Sequence, residues 1–141
     1  MIAAAASPRA RAALTVAAAL LLGGCAATSL DQLKADPAKV YAFHSPRDYR
    51  TAFTLIADKA EHCWQGRVLF ATLNVDATLN VPGRAGEVTF WMENFGRRIY
   101  GDALIAAAGE GSDVTVWTYL STWDEVGPRI ERWVQGQEGC D

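Results

Sequence analysis

His44 and His62 are the only histidines of the chain, so they are the first residues to consider as proton carriers. A hydrolytic triad needs a nucleophile, a base and an orienting group brought together, and no G-x-S-x-G motif or Cys/His pairing accompanies either histidine. His62 and Cys63 are sequence neighbours, and neighbours on a helix point about 100° apart, so they form no dyad. The metal-ligand spacings C-x-x-C, H-x-x-x-H and H-E-x-x-H are missing. The glycines of VPGRAG (81–86) and AGEGS (108–112) fall between strand-like runs, with no helix start or lysine behind them, and read as turns rather than phosphate cradles. Asp124 and Glu125 stand at a helix start, where negative charge suits the dipole. These patterns lead us to expect no catalytic residue, no metal and no cofactor.

The remaining chemistry belongs to cysteine. Arg9 and Arg11 precede an apolar run from Ala12 to Leu22, and Gly23-Gly24-Cys25 closes it. About 11 apolar residues suit a signal-peptide core and are too few to span a bilayer. The stretch LLLGGC resembles the bacterial lipobox, which implies cleavage before Cys25 and diacylation of its thiol with chains such as palmitate. More than one acyl chain gives durable anchoring, at about 0.8 kcal/mol per buried methylene. Ala26 follows where Asp would imply retention at the inner membrane. The resemblance therefore implies a lipoprotein of the outer membrane that faces the periplasm.

Removal of residues 1–24 from 141 leaves 117, one domain with enough chain for a single core. Loss of Arg9 and Arg11 leaves 11 basic against 16 acidic residues, a net charge of −5. With charges interspersed and no basic stripe, nucleic acid is not an expected partner. The membrane is, through the lipid on Cys25. In an oxidising compartment the two other cysteines, Cys63 and Cys140, are expected to pair, the alternative being two free thiols.

The elements that must position these residues read as follows. Residues 25–44 form a lipidated tether and extended arm, in which Asp36-Pro37 ends any helix begun at Ser29 to Lys34 and Lys39 to Phe43 is extended. Residues 45–141 form the domain. Ser45-Pro46-Arg47-Asp48 supplies a helix start with Ser45 as cap, and apolar positions from Tyr49 to Trp64 recur at three-four spacing. The period then changes to two, predicting strands at 67–76, 87–94, 98–108 and 113–121. Thr122 and Glu125 suggest a capping box for a last helix that ends at Gly136, with a kink at Gly127-Pro128. Short connections make the strands antiparallel. The expected fold is α+β, two-layered, with a four-stranded antiparallel sheet and two helices on one of its faces.

Alternation puts Trp91, Trp117 and Tyr119 opposite the aliphatic strand positions, as a candidate partner-binding surface able to stack on sugar rings or anchor a protein. The competing expectation is that the arm with Val40, Tyr41 and Phe43 covers them. Together, the lipobox, the arm L-K-A-D-P-x-K-V-Y, the helix Y-R-x-A-F-x-x-I-A-D-K-A-x-x-C-W and the tail W-D-x-V-x-P-R-I-E-R-W-V-Q-G resemble small uncharacterised lipoproteins of proteobacterial envelopes. The likeness implies location and an α-β4-α domain, and no catalytic residue. The function expected is non-enzymatic binding or support of an envelope component, a protein or a glycan. The alternative is a carrier that encloses an apolar ligand such as a lipid between helices and sheet.

Overall fold

A computed structural model describes residues 27–68, 71–93 and 95–141. Along the chain run α1 (Leu30–Ala35), β1 (Lys39–Ser45), α2 (Tyr49–Trp64), β2 (Gly66–Val68), β3 (Ala71–Asn80), β4 (Ala85–Glu93), β5 (Arg97–Ala108) and β6 (Gly111–Thr118). A 3-10 turn at Ser121–Trp123 leads into α3 (Val126–Val134). The strands form one antiparallel sheet in the order β1-β6-β5-β4-β3-β2.

This corrects the expected four-stranded sheet with helices on a single face, although the fold remains α+β. Five long strands and a three-residue sixth, β2, make up the sheet. The added long strand is β1. Its alternation turns Tyr41 and Phe43 toward the core, and its backbone pairs with β6 from Lys39↔Thr118 to Ser45↔Ser112. An alternating run of that length beside an open edge satisfies its backbone donors and acceptors by joining the sheet. The third helix, α1, lies against the face opposite α2 and α3. Residues 27–45 are thus packed on the domain, and Cys25 lies outside the described residues.

The core lies between the sheet and the pair α2 and α3. From the sheet come Leu73, Val88, Phe90, Ala103, Ile105, Val114 and Val116; from the helices come Ala52, Ile56, Ala60, Ile130, Trp133 and Val134. Complete burial of each large aliphatic or aromatic side chain contributes about 1.5–3 kcal/mol. Trp64 stands edge-on to Phe90 at 5.0 Å between centroids and lies 4.5 Å from Trp133. Gly127 lets α3 approach β1, because a Cβ there would collide with the side chain of Tyr41.

Both long helices start differently from expectation. Asp48, not Ser45, caps α2: its carboxylate accepts from the backbone N–H of Arg50 at 3.0 Å and of Thr51 at 3.2 Å. Ser45 Oγ accepts from the N–H of Arg47 instead. A carboxylate facing two orphan amides at the positive end of the helix dipole makes the stronger cap. Thr122 makes no capping box, and α3 begins at Val126 without a side-chain cap. Pro128 then falls in the first turn, where its missing N–H would have had no helical acceptor, so the expected kink gives way to a regular helix behind a 3-10 turn.

Candidate functional site

The face of the sheet opposite α2 and α3 gathers the predicted aromatic row. Trp91 on β4, Trp117 on β6 and Tyr119 just beyond β6 pack around buried Ile99, and each is half-buried. Their cover is not the expected stretch with Val40, Tyr41 and Phe43. It is α1, with Leu33 fully buried and Leu30 beside it, together with buried Ala27. Tyr41 and Phe43 of the arm point to the other side, into the helix-covered core. The backbone N–H of Ile99 donates to Ala27 O at 2.8 Å, which ties the start of the described chain to the sheet.

Sequence reasoning missed the polar centre of this face. Register places Thr89, Asp102 and Trp117 in one row across β4, β5 and β6. Asp102 is fully buried and accepts a hydrogen bond from Thr89 Oγ1 at 3.0 Å. Lys34, from α1, sets its ammonium 3.0 Å from Asp102 Oδ2 and 2.7 Å from Glu87 Oε1, and 4.8 Å above the Trp117 ring. Burial pushes the Asp102 carboxyl up to about 6, aided by the negative charge of Glu87 and opposed by Lys34 and Thr89. For Lys34, burial lowers proton affinity, but bonding to Glu87 and Asp102 outweighs it and holds the ammonium above its ordinary value. The one legible signal was a lone carboxylate inside the otherwise small and apolar run G-D-A-L-I-A-A-A of β5.

Chemically this arrangement is a clamp. The ammonium is held by two carboxylates and an aromatic face, and the central acid has no path to solvent, so the group fastens α1 to the sheet. Arg97 stacks on Trp91 at 4.6 Å and pairs with Asp76 at 2.8 Å at the same end of the sheet. His44 meets Asp113 at 2.8 Å across the β1–β6 edge, both groups being well exposed, and no hydroxyl or thiol bonds to that imidazole among the described residues. His62 is exposed in the last turn of α2. Among the described residues there is no cluster of three His, Cys, Asp or Glu side chains able to hold a metal ion.

Cys63 and Cys140 are joined by a disulfide, with Cα atoms 5.4 Å apart, inside the usual bridging range. The tail that brings Cys140 back is guided by Trp133 Nε1–H donating to Gly139 O at 2.9 Å and by the Lys59 ammonium donating to Glu138 O. On the helix side, α2 and α3 pack their apolar faces on the sheet. A groove of about 310 Å³ opens beside the start of α3, lined by Trp64, Leu73, Trp123, Val126 and Arg129. Compared with protein-family models, curated proteins and solved structures, the chain matches none.

Proposed function

We propose that this chain is a lipoprotein of the envelope type its sequence resembles, anchored in the outer membrane through Cys25 and facing the periplasm. In this reading it is non-enzymatic, and its aromatic sheet face binds or supports an envelope protein or glycan. The observation that carries the reading is that Trp91, Trp117 and Tyr119 lie together on one face and keep part of each ring in solvent despite the cover of α1. Aromatic rings so placed offer apolar area to a partner. The buried acid of the same face is committed to Lys34 and Thr89, which suits a rigid binding surface better than acid–base turnover.

The test is photo-crosslinking in intact envelopes from Val40, which is 51% exposed and pairs with Trp117. The control is Thr54, exposed on α2. A discrete adduct from Val40 that is missing from Thr54 is the expected result, whereas identical patterns from both positions would refute a partner on this face. Fractionation tests the anchor: Cys25→Ser should move the protein from the membrane to the soluble periplasmic fraction.

A second reading, carriage of an apolar molecule, draws on the groove of about 310 Å³ lined by Trp64, Leu73, Trp123 and Val126. The groove lies at the border of helices and sheet, with Trp64 of α2, Leu73 of β3 and Val126 of α3 on its walls. Binding of a fluorescent fatty acid that is abolished by Val126→Trp would favour it.

A further inference from the structure

Phe95 stands in the turn between β4 and β5 with φ +51° and is 101% exposed. A left-handed conformation is strained for a bulky aromatic residue, and glycine or asparagine would serve the turn with less strain. Among the described residues nothing packs against the ring. The other large apolar side chains exposed among the described residues are far less so: Val40 51%, Val81 43% and Leu79 37%.

The position of Ala27 says where this ring sits relative to the membrane. Ala27 is buried and bonded to Ile99, and only Ala26 separates it from Cys25. Two extended residues span about 7 Å, so a lipid on Cys25 would hold the bilayer surface within roughly that distance of Ala27. Ile99 is the third residue of β5, which ends at Ala108. At about 3.3 Å per residue it lies at most about 13 Å from Phe95 and roughly 30 Å from the far end of the strand. The membrane-facing end of the sheet is therefore the end that carries the β4–β5 turn. Tyr100, Tyr119 and Trp123 cluster at this end, with ring centroids 6.1 Å and 5.7 Å from that of Tyr100. Amphipathic rings of this kind favour the level of the lipid headgroups.

Resting on the reading of Cys25 as lipidated, we infer that Phe95 is a second membrane contact, inserted at the headgroup–acyl boundary with Arg98 behind it at the phosphates. The domain is then seated on the bilayer with the sheet end down, and not suspended on a linker.

The test uses the exported, full-length lipoprotein reconstituted in vesicles of phosphatidylethanolamine and phosphatidylglycerol, with mass spectrometry establishing diacylated Cys25 in every sample. An environment-sensitive fluorophore is attached at Phe95→Cys and, in a separate protein, at Val81→Cys in the turn at the opposite end of the sheet. Thioether-linked Cys25 and the bridged Cys63 and Cys140 do not compete for label. Circular dichroism matching the parent shows that both variants fold, and Arg98→Cys provides a second position at the same end should Phe95→Cys fail. The expected result is a blue-shifted emission at position 95, quenched by headgroup-level spin-labelled lipid several-fold more than at 81. Equal, water-like emission at both positions in diacylated protein would overturn the membrane contact while leaving the anchor intact. An unmodified Cys25 would overturn the anchor and the contact together.

Discussion

Asp102 carries the strongest electrostatic constraint in the described structure, and its direction is informative. A carboxyl raised to about 6 in the folded chain, against an ordinary value near 3.8, holds a proton between about pH 4 and pH 6 that the unfolded chain has released. Its contribution to stability therefore falls as pH rises through that window and levels off above it, by at most about 1.4 kcal/mol per pH unit. Asp102→Asn keeps an acceptor for Thr89 and removes the charge, so urea titrations between pH 4 and pH 6 should lose that slope. Lys34→Ala leaves the buried carboxylate without its counter-ion. The expected loss is about 2–4 kcal/mol at pH 7 and clearly less at pH 5, where Asp102 relieves itself by taking a proton. An equal loss at both pH values would mean that Lys34 acts through the packing of its stem on Trp117 and not through charge.

At the scale of elements, α1 is the least expected and the most dependent on its surroundings. Six residues are too few to hold a helix in water. Ser29 caps it by accepting from the N–H of Gln32, Leu33 is wholly buried on the sheet, and Lys34 locks it to β4 and β5. Leu33→Ala should destabilise the protein by about 2–4 kcal/mol, since it removes the fully buried side chain of the helix. Trp91 and Trp117 would gain water at the same time, so tryptophan emission should shift to the red under native conditions while α2 and α3 keep the helical signal. An unchanged emission spectrum would contradict α1 as their cover. At the other long helix, Gly127→Ala should cost about 1–3 kcal/mol, read from the urea midpoint, because the new methyl group meets Tyr41.

For the molecule as a whole, the disulfide links the end of α2 to the penultimate residue across a sequence separation of 77. It closes the chain from the first core helix to the tail, and thereby limits the conformations of the unfolded state. Reduction should lower stability by about 2–5 kcal/mol and reduce Tm in calorimetry with and without reductant. The tail contacts of Trp133 and Lys59 predict that the folded state stays closed around Cys63 even when reduced. An unaltered Tm would mean that those contacts alone confine the tail. The two sheet faces divide the work: one is filled by α2 and α3 into a core, and the other keeps its aromatic row under a light cover.

Local periodicity determined much of this from sequence alone. The three-four spacing from Tyr49 to Trp64 is α2, and the alternating runs correspond to β3 through β6 with shifted ends, except that Arg67 and Val68 of the run expected at 67–76 belong to β2, which pairs antiparallel with β3. The pairing of Cys63 with Cys140 was likewise legible, because reading Cys25 as lipidated leaves two thiols and implies an oxidising compartment. The placement of Trp91, Trp117 and Tyr119 on the face away from the core helices followed from the same alternation. Only the tertiary structure decided what each face meets. Whether Lys39–Ser45 joins the sheet depends on the free edge of β6, about 70 residues downstream, and no local propensity encodes that edge. Asp102 became a clamp only when register aligned it with Thr89 and α1 brought Lys34 over it, a coincidence of three distant segments. The starts of α2 and α3 were settled by competition among nearby caps and by the fit of Gly127 on Tyr41. Periodicity is a property of neighbours in the chain, whereas burial, pairing and charge compensation are properties of neighbours in space.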